Sequence, residues 1–81
     1  MNNYSKIIKP NVNDLINNNI NLVKKISWHL HGRVNSIVDI EDIIQIGMLG
    51  LISAAQNYVP QKDASFAAYA SIRIRGEILD Y

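Results

Sequence analysis

His29 and His31 are the side chains best suited to proton transfer or metal ligation in this chain. On a helix, residues two apart do not face each other. Their spacing therefore argues against a shared metal ion and for solvated histidines near a helix end. No Ser–His–Asp set, paired carboxylates or phosphate-cradling glycine loop accompanies them. Gly47 and Gly50 fall within a helical pattern, not in a loop after a strand. Cysteine is absent, which removes disulfides and thiolate metal sites. Tyr69 and Arg73 are four apart, which puts a ring and a cation on one helix face. Arg73 is also four before Glu77, the spacing of a surface ion pair worth about 0.3–0.5 kcal/mol. The chemistry left is recognition: no enzyme activity, metal or cofactor is expected.

The elements that position these residues read as helices. The chain has 81 residues, is 48% hydrophobic and carries a net charge of +1. That suits one small domain, burying about 60–65% of its unfolded surface. Residues 1–10 are expected to form a flexible arm and residues 11–81 the domain. The start, "MNNYSKIIKPNVND", lacks an apolar core and cleavage site, so no signal peptide is expected. Without cysteine, a reducing, cytoplasmic location is the default. In the first segment, 11–31, Val12, Ile16, Ile20, Val23, Ile26 and Leu30 recur at helical spacing. Asn11 can cap it, with Asp14 three residues on, and Gly32 is a natural left-handed stop. Lys24 and Lys25 lie off that stripe as solvated cations, and Trp28 is expected to be a partly buried anchor rather than a base-stacking platform. The second segment, 40–58, has Asp39 as its cap and Glu41 and Asp42 in its first turn, where the helix dipole favours acids. Pro60 ends it. The third, 66–80, starts behind Ser65. The fold class is all-α, a compact three-helix bundle with short loops.

The stretch "IIQIGMLGLISAAQNYVPQ", residues 43–61, holds no charge. A spanning helix needs about 20 predominantly apolar residues. Gln45, Ser53, Gln56 and Asn57 and the terminal proline turn argue against one here, so no membrane role is expected. At about 100° per residue, Ile43, Ile44, Gly47, Leu51, Ala54, Ala55 and Tyr58 share one side, with Met48 at its edge. Ile46, Leu49 and Ile52 form a second apolar ridge among Gln45, Ser53, Gln56 and Asn57. Two readings stay open: a surface for a protein partner, or a ridge wrapped by the other two helices. Gly47 and Gly50 each cost roughly 1 kcal/mol of helix stability against alanine. Gly47 on the core side would admit a neighbouring helix, and Gly50 is either a tolerated drift residue or serves a neighbour.

The stretches "DIEDIIQIGMLGLISAAQNYVP" and "SFAAYASIRIRGEILDY" resemble region two of bacterial sigma factors of the primary, sigma-70 family. The "YASIRIRG" stretch followed by "ILD" is similar to the flagellar, or motility-type, alternative sigma factors. The resemblance runs from about residue 20 to Tyr81. It implies a helical domain that docks on the coiled-coil clamp helices of the RNA polymerase largest subunit. It also implies recognition and opening of the promoter −10 element, with the non-template strand held as a single strand. The docking motif spans Asp39 to Asn57, and Asp42, Gln45, Ile46, Met48, Leu49 and Ile52 are carried over as polymerase-contacting. For Asp42, a simple helix-dipole charge is the alternative. Most of these positions lie on the mixed side opposite the core face, with Met48 at the edge, so the wheel and the resemblance agree.

The promoter-opening motif spans Phe66 to Leu79. Flipped bases need aromatic faces and nearby cations, and Phe66, Tyr69, Arg73 and Arg75 are carried over for that, with Lys62 and Ser65 of the preceding loop. At about 100° per residue, Arg75 points about 160° away from Arg73, so one flat surface cannot use both. Phe66 falls on the apolar side with Ala67, Ala70, Ile74 and Ile78, so core packing competes there. Ile72 and Arg73 stand where primary factors carry a tryptophan pair, which favours the alternative class. Val59 replaces a usual acid and Asp63 a usual glycine. The motif runs to the last residue, Tyr81, so a region-two fragment without later promoter-binding regions is expected. An anti-sigma factor is a further candidate partner. The competing reading is a helical interaction fragment or decoy with no DNA role. The near-neutral charge favours it, because phosphate contacts carry much of nucleic-acid affinity.

Overall fold

The computed structural model describes residues 10–34, 37–60 and 64–81. All but the last residue of the expected N-terminal arm lies outside them, as do Lys62 and Asp63. Four helices follow in order: α1 (Val12–Asn17), α2 (Ile20–Val34), α3 (Ile40–Asn57) and α4 (Phe66–Leu79). The described residues contain no strand, and the all-α class holds.

The first segment is two helices, not one. Asn19 causes the break. Its side-chain Nδ2 donates to Leu15 O at 2.7 Å, taking the carbonyl that its own N–H would use in a continuous helix. That N–H donates to Ile16 O instead, at 3.1 Å, and the Asn19 carbonyl accepts from Leu22 and Val23 to start α2. At the front, Asn11 Oδ1 accepts from the Asp14 N–H at 3.1 Å, as expected of a cap. Gly32 does not stop α2. The helix runs on to Val34, and no described glycine has positive φ, so the left-handed stop is not used. His31 finishes the turn instead, with Nε2 2.8 Å from Val38 O.

Asp39 sits at the N-cap of α3 in extended conformation but makes no side-chain cap bond. Its carbonyl accepts from Asp42 and Ile43, and its charge joins Glu41 and Asp42 at the positive end of the dipole. Ser65 does cap α4, its Oγ accepting from the Ala68 N–H at 3.1 Å. The end of α3, with Tyr58 as its extended C-cap, agrees with the proline two residues on.

The core forms where α2, α3 and α4 meet, with α1 laid against α3. Val23, Ile26 and Leu30 of α2 meet Ile43, Leu51, Ala54 and Ala55 of α3 and Ala70, Ile74 and Ile78 of α4, all buried. Phe66 is buried with them, while Ala67 faces solvent. The helices come close because α3 carries glycine at the crossings. A Cβ at Gly47 would stand 2.9 Å from Val23 Cγ1 and 3.3 Å from Ile78 Cδ1. A Cβ at Gly50 would stand 2.8 Å from Ile74 Cα and 2.9 Å from the Arg73 carbonyl. Gly50 therefore lies against backbone and is not a drift residue.

Gly50→Ala is expected to destabilise the domain by roughly 1–3 kcal/mol, because a backbone cannot step aside as a side chain can. Gly76, also within a helix, has nothing within 4 Å of its Cβ position. Gly76→Ala is expected to stabilise by about 0.4–1 kcal/mol. Urea denaturation of the two variants against the parent chain measures both shifts.

Candidate polymerase and nucleic-acid surfaces

Burial of one side of α3 leaves the other side to solvent. Asp42, Gln45 and Leu49 are exposed, and Leu49 keeps 59% of its surface accessible. Ile46, Met48 and Ile52 are half-buried, and Ile46 and Met48 pack against the core cluster. The ridge is thus neither wrapped nor free: Ile46 fixes it to the core, and Leu49 stands out from it. Asp42, Gln45, Ile46 and Leu49 line one open groove of about 360 Å³, joined by Tyr81. Met48 and Ile52 do not line it. Sequence reasoning missed Tyr81. The short α3–α4 connection was the signal, because it turns α4 back so that its end meets the start of α3.

On the second surface an aromatic trio joins the end of α3 to the start of α4. Tyr58 and Phe66 meet edge to face with centroids 5.1 Å apart, and Tyr58 and Tyr69 lie 5.6 Å apart at 39°. The Tyr58 hydroxyl donates to Ala64 O at 3.2 Å, which ties the residue before the α4 cap to the end of α3. Tyr69 is half-buried and Phe66 buried, so Tyr69 offers the more open of these two rings. Ser65 is exposed, with its hydroxyl engaged as the α4 cap.

Arg73 and Arg75 are both exposed. The partner of the Arg73 guanidinium is Ser53 on α3, with Nη2 donating to Oγ at 2.9 Å. The spacing pointed to Glu77 instead. Ser53 is in turn held by Asn57, whose Nδ2 donates to Ser53 O at 2.8 Å. The cation of one surface is therefore parked on the helix that builds the other. Nearby, Ile72, Arg73, Gly76, Glu77 and Asp80 line a second open groove of about 260 Å³, and Ile72 is 72% exposed. Among the described residues, no three His, Cys, Asp or Glu groups gather to hold a metal ion. No described helix is long and apolar enough to cross a membrane.

A family model described as Sigma-70 region 2 matches residues 15–81. The chain is 49% identical over 78 residues to RNA polymerase sigma factor FliA of Pseudomonas aeruginosa, which covers 95% of this chain and 32% of that protein. It is 48% identical over 40 residues to RNA polymerase sigma-D factor of Bacillus subtilis, covering 49% and 16%. It is 39% identical over 59 residues to an RNA polymerase sigma factor for flagellar operon of Vibrio parahaemolyticus, covering 73% and 24%. The chain spans a third or less of the length of these relatives.

The two apolar ridge positions are expected to differ in stability effect. Ile46→Glu introduces a charge against the core and should destabilise by about 1–3 kcal/mol. Leu49→Glu, on an exposed position, should stay within about 0.5 kcal/mol of the parent. Thermal unfolding followed by circular dichroism separates them.

Proposed function

The chain belongs to the Sigma-70 region 2 family, and from that membership we propose that it is a transcription-initiation module of the flagellar, motility type. In this reading it acts in the cytoplasm as a binding module and not as an enzyme. The outer side of α3 docks on the clamp coiled coil of core RNA polymerase. The start of α4 holds promoter −10 DNA as a single strand. The observation that carries the reading is the groove of Asp42, Gln45, Ile46 and Leu49. It joins apolar surface to one acid and one amide on the exposed side of a helix whose other side is core.

Physically, docking proceeds by burying Leu49 and the exposed edges of Ile46 and Ile52, with Asp42 and Gln45 supplying hydrogen bonds around them. Anchors of this kind carry most of the binding energy at protein interfaces. Met48 supports the ridge from beneath, packed on the core. For DNA, Tyr69 offers its ring to a flipped base, and Arg73 can exchange the Ser53 hydroxyl for a phosphate. A charge-assisted bond to phosphate is stronger than the neutral acceptor it leaves. Ser65 and Lys62 belong to the same proposed surface, and Arg75, about 160° around α4 from Arg73, is assigned to a phosphate further along the strand. Phe66 supports Tyr58 from the core, and Tyr58 in turn meets Tyr69. Ile72, where primary factors carry an aromatic pair, offers an apolar side chain without a stacking face. An anti-sigma factor covering the α3 groove would compete directly with polymerase.

The test is a titration of the purified chain against the isolated clamp coiled coil and against a single-stranded −10 oligonucleotide. Leu49→Glu is expected to weaken coiled-coil binding about 30-fold or more, as for loss of an interface anchor, and to leave oligonucleotide binding unchanged. Tyr69→Ala is expected to weaken oligonucleotide binding by about 5–160-fold, the range for one stacked base, and to spare the coiled coil. Failure of the folded parent chain to bind the coiled coil would overturn the docking claim. Equal losses on both ligands for Tyr69→Ala would make that residue structural.

A further inference from the structure

Trp28 is not the partly buried anchor expected of it. It is 61% exposed at the middle of α2, on the side opposite Val23, Ile26, Ser27 and Leu30, which are buried. A tryptophan is usually largely covered, so its exposure needs a reason. Its ring is not loose: the His31 ring meets it edge to face, with centroids 6.1 Å apart. His31 is itself fixed through the Val38 carbonyl at 2.8 Å. One turn beyond Trp28, Gly32 leaves open space, with nothing within 4 Å of where a Cβ would stand. One turn before it, at the helical neighbour positions i−4 and i−3, Lys24 and Lys25 are exposed. The fifteen residues of α2 include no acid. The face therefore carries a braced aromatic ring, an open shelf beside it and two cations, with no carboxylate on the same helix to neutralise them.

We propose that this outer face of α2 is a binding site for single-stranded nucleic acid, with one base stacked on Trp28 and adjacent phosphates on Lys24 and Lys25. The combination of aromatic faces with cations along a backbone track is what such ligands require. An acidic protein segment would match the lysines but would leave the braced indole and the shelf without a flat partner, which is why nucleic acid is favoured. The site lies on a different helix from Tyr69 and Arg73 and does not depend on the α4 surface.

Trp28 is the chain's one tryptophan, so its fluorescence reports this face alone. The experiment titrates the full chain with an oligodeoxythymidylate of about 15 nucleotides, within the usual footprint of a single-strand site. Emission is expected to be quenched saturably, and to remain so in Arg73→Ala. The double variant Lys24→Gln, Lys25→Gln is expected to flatten the salt dependence by about 1.4 in log–log slope, about 0.7 for each phosphate left without its lysine. Trp28→Ala, followed by anisotropy of a labelled oligonucleotide, is expected to bind about 10-fold more weakly with an unchanged helical spectrum. Saturation without any emission change would overturn the proposal, as would no binding. Quenching that disappears in Arg73→Ala would assign the strand to α4 alone. An equal response to polyglutamate would replace nucleic acid by an acidic protein partner.

Discussion

The fold depends on how closely α3 approaches its neighbours. At Gly50 the α3 backbone lies against the backbone of α4, with room for no side chain between them. At Gly47 the same helix admits Val23 and Ile78. Two glycines in one helix weaken its intrinsic propensity, and the burial of Leu51, Ala54 and Ala55 around them compensates through packing. This close approach lets so short a chain cover one side of α3 with two helices. The Leu49 side of α3, away from these close contacts, stays open to solvent.

That division gives α3 two jobs on one cylinder. Its lack of charge between Asp42 and its end fits that division: the inner side must be apolar, and an outer side without unpaired charge to desolvate suits the proposed protein partner. Ser53 sits between the two functions. It belongs to the helix assigned to polymerase, and it holds Arg73, assigned to DNA. The exposed pair is a weak link, fit to be exchanged rather than to stabilise the fold.

Much of this was legible in the residues themselves. Pro60 and Ser65 marked the end of α3 and the start of α4, because a proline and a cap act locally. The apolar stripe of α3 was readable because its period is regular, and its buried members Ile43, Gly47, Leu51, Ala54 and Ala55 follow the wheel. Other features depend on neighbours that the wheel does not show. The break at Asn19 comes from one side chain choosing Leu15 O, a competition that propensity describes only on average. Gly32 had the composition of a helix stop, yet α2 continues through it and His31 closes the turn on Val38. Gly50 was ambiguous until α4 was seen against it. The partner of Arg73 lies twenty residues away, beyond any i,i+4 rule. Trp28, expected to be a partly buried anchor, is 61% exposed because it lies on the side of α2 away from Val23, Ile26 and Leu30.

The central claim is that the Gln45–Leu49 side of α3 meets polymerase. The chain contains no cysteine, so a single introduced thiol is an unambiguous probe. The measurement is the alkylation rate of Gln45→Cys, Leu49→Cys and Trp28→Cys variants, each with and without core RNA polymerase and with DNA absent. Strong protection is expected at positions 45 and 49, with an unchanged rate at position 28. Equal rates with and without polymerase at positions 45 and 49 would contradict that claim.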